Sequence, residues 1–140
     1  MGNRVYFTIK TKSESRTYYQ HWNGGLDTFL PLAHALFAND VTDIQKAIGF
    51  VESMGFRPEL QESSEASSWL EENGHHFINL DAKTFETVSA SGMRRPVRLL
   101  REAFVEYVKE NILAEYQESS GREYWHGIID DAAKFYGGAE

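Results

Sequence analysis

Val5-Tyr6-Phe7-Thr8-Ile9-Lys10 is the stretch that decides the fold, because its side chains alternate between an apolar and a more polar face. A period of two is typical of a strand buried on one face, and the apolar face here holds Val5, Phe7 and Ile9. A second β-rich run, residues 17–22, follows polar turn material at residues 12–15. We therefore predict a β-hairpin in this part of the chain.

After residue 25 the apolar residues recur at helical spacing. They do so first from Leu26 to Phe37 and again from Ile44 to Met54, which predicts two helices. Asp27 or Thr28 could cap the first helix, and Thr42-Asp43-Ile44-Gln45 fits a capping box for the second. Residues 57–74 are rich in Ser and Glu, and we predict a mobile surface loop there.

The second half of the chain predicts the same order of elements. Residues 76–80 and 84–88 indicate a second hairpin, and a long apolar seam starts near Pro96, whose missing N–H suits a first helical turn. A last helix runs through Trp125 to Tyr136, with a tail at residues 137–140. The order β-β-α-α-β-β-α-α predicts a single α+β domain over residues 1–140. In it, an antiparallel sheet of two hairpins carries about four helices on one face.

Charge and composition exclude several classes of function. The 140 residues hold 14 Lys plus Arg and 21 Asp plus Glu, a net charge of −7, which disfavours general adsorption to nucleic acid or to an anionic membrane. The absence of cysteine excludes disulfides, Cys-ligated metal sites and thiol catalysis. Because no run of about 18 apolar residues exists, we expect a soluble, cytoplasmic protein.

Four arginines interrupt the acidic second half of the chain. Residues 94–101 contain four basic residues and no acid. The predicted helix would begin at this segment, where the helix dipole disfavours cations, so the charges need either a bound anion or acidic groups of the same protein. We therefore take Arg94, Arg95, Arg98 and Arg101 as anion-binding candidates, with intramolecular pairing as the competing interpretation.

The histidines and serines do not form a recognisable catalytic or metal-binding pattern. His75 and His76 are adjacent, so in a strand their side chains point to opposite faces, and no His-x-His or His-x3-His pair occurs. No nucleophile elbow and no phosphate-binding glycine loop occurs either. We predict no catalytic residue, no metal and no cofactor, and leave open whether His21, His75, His76 or His126 converge in a site.

Aromatic and acidic side chains supply candidates for an interaction surface. Tyr and Trp bury a large area at low entropic cost, which favours them at protein interfaces, whereas packing in the core is the alternative. The candidate residues are Tyr18, Trp22, Glu59, Glu62, Glu65, Trp69, Glu71 and Glu72.

The run Thr17-Tyr18-Tyr19-Gln20-His21-Trp22-Asn23-Gly24-Gly25 resembles a segment of small bacterial proteins, often from plasmids and prophages. Their segment reads approximately V-Y-x-H-W-N-G-G and follows an N-terminal strand. The resemblance implies an accessory protein of bacteria or of their mobile elements.

Together these features favour a small acidic accessory or modulator protein that acts by binding another protein. The alternative is a phosphate- or nucleotide-binding domain, or a small enzyme, that uses Arg94–Arg101. Direct nucleic-acid binding is a less favoured third hypothesis. The seam from Val97 to Ile112 could bury against its own sheet or against a second subunit, so a homodimer stays open.

Overall fold

The computed structural model describes residues 3–97 together with residues 127, 128, 130, 131 and 134–136. The strands and helices, in chain order, are β1 (Val5–Lys10), β2 (Ser15–Gln20), α1 (Leu26–Ala38), α2 (Ile44–Ser53), β3 (Glu59–Gln61), a 3-10 turn (Ala66–Ser68), β4 (His75–Asn79), β5 (Thr84–Val88) and β6 (Arg94–Val97).

The strands form one mixed sheet in the order β3-β2-β1-β4-β5-β6. β1 pairs antiparallel with β2, and β4 pairs antiparallel with β5. β1 and β4 lie side by side in parallel, with Phe7 opposite His76. The predicted α+β class is confirmed, but the fully antiparallel sheet is wrong. The long connection through α1, α2 and β3 returns the chain in its original direction, as a parallel pair requires.

Both outer strands occur where the sequence predicts other structure. β3 lies inside the predicted loop 57–74 and pairs with β2. β6 covers Pro96, where we predicted the start of a helix, and it pairs with β5. A proline disfavours helical geometry in the residue before it and is tolerated on an edge strand, which explains the extended backbone. The remainder of that predicted helix, from residue 98 onward, lies outside the described residues.

The core lies between the sheet and α1 and α2. Val5, Phe7 and Ile9 are fully buried on this face, and the Phe7 ring packs 5.0 Å from that of Phe29 in α1. The described residues from 127 to 136 are helical, and Ile128 is buried in the same cluster.

The helix starts differ in part from the predicted caps. α1 starts after Gly25, and neither Asp27 nor Thr28 is its N-cap. α2 starts after Asp43, whose side chain accepts a hydrogen bond from the Lys46 amide, as a capping carboxylate does.

Substitutions at two glycines distinguish the effect of close packing on stability from the effect of helix propensity. A methyl group at Gly24 would lie 2.6 Å from the Asn3 carbonyl oxygen and 2.7 Å from Val5 Cβ, whereas at Gly49 the nearest atom is 3.7 Å away. We expect Gly24→Ala to lower the free energy of unfolding by about 1–3 kcal/mol through overpacking. Gly49→Ala, inside α2, should raise it by about 0.5–1 kcal/mol. Urea denaturation checks both values, and equal effects of the two substitutions would contradict this packing.

Candidate functional site

A tight turn after β2, residues 21–25, presents an exposed tryptophan; we call it the Trp22 turn. Gln20 sets its shape, because its side-chain Nε2 donates to the carbonyl oxygens of Trp22 at 2.8 Å and of Asn23 at 3.4 Å. Asn23 adopts a φ of 60°, the left-handed region that asparagine tolerates better than most residues. The backbone of the turn is therefore held from within by the last side chain of β2.

Further hydrogen bonds fasten the Trp22 turn to the rest of the domain. The Asn3 amide donates to the His21 carbonyl at 3.1 Å, and the Gly24 amide donates back to the Asn3 carbonyl at 2.8 Å. His76 Nε2 lies 2.8 Å from the Gly24 carbonyl oxygen. Because that oxygen can only accept, His76 carries its proton on Nε2. The turn is thus a rigid part of the sheet end.

Trp22 projects from this rigid turn with 56% of its surface exposed. Its ring lies edge-on to that of His21, with the ring centres 4.7 Å apart. His21 Nδ1 lies within hydrogen-bond distance, 2.9 Å, of the Tyr19 hydroxyl. The indole is thus exposed on a backbone that hydrogen bonds hold in place.

A cleft of about 400 Å³ opens between the Trp22 turn and the chain that joins α2 to β3. Its lining residues are Gln20, His21, Trp22, Asn23, Gly55, Phe56 and Arg57. Gln20 is only 2% exposed, and its Oε1 has no hydrogen-bond partner, although Nε2 is fully used. The cleft is large enough for a small ligand or an inserted side chain, since ligand pockets measure about 300–1,000 Å³.

His75 and His76 point to opposite faces of the sheet, and both are satisfied inside the protein. His75 Nδ1 donates to the Trp69 carbonyl at 2.8 Å, and its Nε2 accepts from the Thr8 hydroxyl at 2.7 Å. The Thr8 oxygen in turn accepts from the Thr17 hydroxyl at 2.7 Å. His76 Nδ1 accepts from Thr87 Oγ1 at 2.8 Å. Both rings therefore act as neutral structural links.

Burial lowers the pKa of both histidines, because a charged imidazole loses its hydration in the interior. For His76 burial lowers the pKa to about 4, against partial opposition from the Gly24 carbonyl. For His75 burial also lowers the pKa, and the Trp69 carbonyl opposes the shift. Neither imidazole is in a state suited to bind a proton near neutral pH.

The predicted arginine cluster is only partly within the described residues, and its setting differs from the prediction. Arg94 and Arg95 lie on the edge strand β6 and not at a helix start. Arg94 pairs with Glu86 on the neighbouring strand at 3.1 Å, which is the intramolecular pairing that competed with anion binding. Arg98 and Arg101 lie outside the described residues, as does His126.

The aromatic candidates for an interaction surface divide by burial. Tyr18 is 5% exposed and stacks on Phe7 in the core, so its assignment to an exposed surface is wrong. The register explains this, because Tyr18 lies opposite Phe7 and so shares its buried face. Trp69 is half-buried and packs edge-on against Tyr6 with ring centres 5.7 Å apart. Of this set, Trp22 is the most exposed.

The acidic candidates also divide. Glu72 accepts a hydrogen bond from the Arg4 amide at 3.0 Å and lies 3.6 Å from the Arg4 guanidinium, so it fastens its segment to the residue before β1. Glu71 is half-buried. The pKa of Tyr6 is raised mainly by burial of Tyr6 itself, and the negative charge of the Glu71 carboxylate raises it further. Glu59, Glu62 and Glu65 are exposed.

Within the part of the chain that the structure describes, no group of three or more His, Asp or Glu side chains could hold a metal ion. Among the same residues, no helix is long and apolar enough to cross a bilayer.

Sequence reasoning singled out Trp22 but missed the cleft beside it. Gln20 and Arg57 are 37 positions apart in the chain, and the β2–β3 pairing brings their segments together. No local pattern predicts β3, so the sequence did not indicate that residues 55–57 line a cleft with Trp22.

Comparison of the chain with models of protein families, with curated proteins and with solved structures gave no match.

Protonation of His76 should couple stability to pH. Its folded pKa of about 4 lies below the ordinary 6.5, so between these values the unfolded chain binds a proton that the folded chain excludes. We expect the free energy of unfolding to be largest above pH 6.5 and to fall by about 3 kcal/mol towards pH 4 through this group.

Urea denaturation at a series of pH values measures the effect, with His76→Gln as the comparison that removes the titration. The carboxylates titrate in both proteins, so the difference between the two pH profiles isolates His76. An NMR titration of the His76 ring in the wild type gives the same pKa directly. Identical pH profiles together with a ring pKa near 6.5 would contradict this assignment.

Proposed function

We propose that this protein is a small acidic accessory or modulator protein that acts by binding another protein, with Trp22 as the central contact. The observation that carries the proposal is the 56% exposure of Trp22 on a turn fixed by Gln20 and His76. Tryptophan is among the residues that contribute most to protein interfaces, and rigidity reduces the entropy lost on binding.

The edge of the sheet beside Trp22 supports the same proposal. β3 is the outermost strand on this side, and its Leu60 is 46% exposed. Glu59 and Glu62 flank it in the chain and are exposed. An apolar centre with a polar, charged rim is typical of protein interfaces. A cytoplasmic location is part of this proposal. So is an origin in bacteria or their mobile elements, which the resemblance of residues 17–25 implies.

The alternative, a phosphate- or nucleotide-binding domain or a small enzyme that uses Arg94–Arg101, has less support. Arg94 is already engaged by Glu86 on the sheet.

A pull-down from nuclease-treated bacterial lysate, read by mass spectrometry, tests the proposal. We expect the tagged wild type to retain a specific protein and Trp22→Ala to retain at least about tenfold less, since loss of a central tryptophan commonly costs 2 kcal/mol or more. Met93→Ala is the matched control, because Met93 is 68% exposed and lies in the connection between β5 and β6, the two strands at the opposite edge of the sheet from β3.

Retention should survive in the control variant and in the nuclease-treated sample. Equal retention by wild type and Trp22→Ala would remove Trp22 from the interface. Retention that disappears on nuclease treatment would indicate nucleic acid instead of a protein partner.

A further inference from the structure

The outer edge of β3 presents backbone groups that the sheet does not use. In an antiparallel pair, residues whose N–H and C=O bond with the neighbouring strand alternate with residues whose groups face the other way. The Thr11 amide donates to the Glu14 carbonyl at 2.9 Å between β1 and β2, so, counting in twos, Tyr18 faces β1 and its two neighbours face β3. Leu60 lies opposite Tyr18, so its N–H and C=O face away from β2. Among the described residues, no strand lies beyond β3 on that side.

The opposite edge of the sheet is protected against further pairing. At the turn between β5 and β6 the Ser89 amide donates to the Met93 carbonyl at 2.9 Å, and the same alternation turns the backbone groups of Arg94 and Pro96 away from β5. Proline has no N–H, and prolines and charged residues on an edge strand hinder the addition of another strand. Of the two outer strands, β3 is therefore the one whose outward backbone groups belong to an apolar residue.

The edge of β3 is also accessible. Leu60 is 46% exposed, although its side chain lies on the same face of the sheet as the buried Tyr18. A cavity of about 490 Å³ opens at the end of β3, and its lining includes Leu60, Gln61 and Glu62. An apolar residue placed opposite Leu60 would remove apolar surface of both side chains from water.

The charges beside Leu60 select the occupant of this edge. Glu59 and Glu62 are exposed and take no part in the ion pairs found among the described residues. Opposite charges on facing strand residues stabilise the pairing, whereas like charges destabilise it. A second copy of this chain would bring the same carboxylates towards one another. A segment of another protein with basic side chains would complement them.

We propose that the partner protein adds an extended segment to the outer edge of β3, with an apolar residue opposite Leu60 and basic residues opposite Glu59 and Glu62. In the antiparallel arrangement one residue of the segment exchanges both hydrogen bonds with Leu60. Addition of a strand to an open sheet edge is an established mode of peptide recognition, in which the backbone supplies affinity and the side chains supply specificity.

The added segment would share an interface with the exposed tryptophan. A strand antiparallel to β3 runs towards Arg57, which precedes β3 and lines the cleft beside Trp22. This inference therefore rests on the proposed function, since it names the part of the partner that binds next to Trp22 and the chemistry of that part.

Three pentapeptides separate the contributions of backbone and charge. Acetyl-Lys-Thr-Val-Lys-Thr-amide places its valine opposite Leu60 and its two lysines opposite Glu62 and Glu59. Acetyl-Glu-Thr-Val-Glu-Thr-amide keeps the backbone and reverses the charge. The third peptide is the basic one with N-methyl-valine, which keeps the charge and removes the N–H that would donate to the Leu60 carbonyl.

Titration of each peptide into ¹⁵N-labelled full-length protein, followed by NMR, reports on the Leu60 amide. We expect a saturable shift of this signal with the basic peptide. The acidic peptide and the N-methylated peptide should each bind at least about threefold more weakly. Because the N-methylated peptide has the same charge as the basic one, it distinguishes strand pairing from general attraction to an acidic protein.

Substitutions then test the assigned groups. Leu60→Pro removes an N–H that the sheet does not use and should weaken the basic peptide at least about threefold, whereas Leu60→Val keeps the N–H and should bind it as the wild type does. Glu62→Lys should abolish the preference for the basic peptide over the acidic one. Asp130→Lys is the matched control for charge, because Asp130 is exposed and does not line the cavity at β3.

The outcomes distinguish this inference from the proposed function. If the basic and the N-methylated peptides bind wild type equally, or if no peptide shifts the Leu60 amide at 10 mM, the assignment of β3 as a strand-pairing edge is wrong, whether or not Leu60→Pro folds. Equal binding of the basic and acidic peptides would overturn the basic character of the partner segment. A partner that is lost on Trp22→Ala but retained by folded Leu60→Pro would leave the proposed function standing and overturn this inference alone.

Discussion

The hydrogen bond from His76 Nε2 to the Gly24 carbonyl is the constraint on which the end of the sheet that carries Trp22 depends. One neutral ring joins β4, the Trp22 turn and, through Thr87, β5. Because the Gly24 carbonyl can only accept, the neutral imidazole carries its proton on Nε2, and its Nδ1 accepts from the Thr87 hydroxyl. Burial enforces that state by lowering the pKa of His76. The core histidine thereby fixes the position of an exposed residue that it does not touch.

The Trp22 turn shows how a protein keeps an apolar ring in water without losing order. The ring itself gains little from the fold, so its position comes from the backbone beneath it, which Gln20 and Asn3 hold at four carbonyl or amide groups. The same use of Gln20 leaves its Oε1 without a partner. The tight turn and the unsatisfied acceptor are two results of one side-chain orientation.

Local patterns in the sequence predicted those elements whose structure depends on nearby residues. Alternation located β1, helical spacing located α1 and α2, and adjacency placed His75 and His76 on opposite faces. The outer strands escaped prediction because β3 has only three residues and depends on its pairing with β2. At Pro96 two local rules conflict, because proline suits both a helix start and an edge strand. The pairing with β5 favours the strand. The cleft forms between segments that are far apart in the sequence, so no local sequence pattern predicted it.

The parallel pairing of β1 and β4 also determines the order in which the protein can form. Phe7 in β1 pairs with His76 in β4, which is synthesised much later. β1 therefore leaves the ribosome long before β4 exists. At a synthesis rate of roughly 5–20 residues per second, the delay is on the order of several seconds. During that time β2 can protect one edge of β1, while the backbone edge that later pairs with β4 stays open to other nascent chains. The interval before β4 is synthesised is therefore the period in which this topology leaves a strand edge open to aggregation.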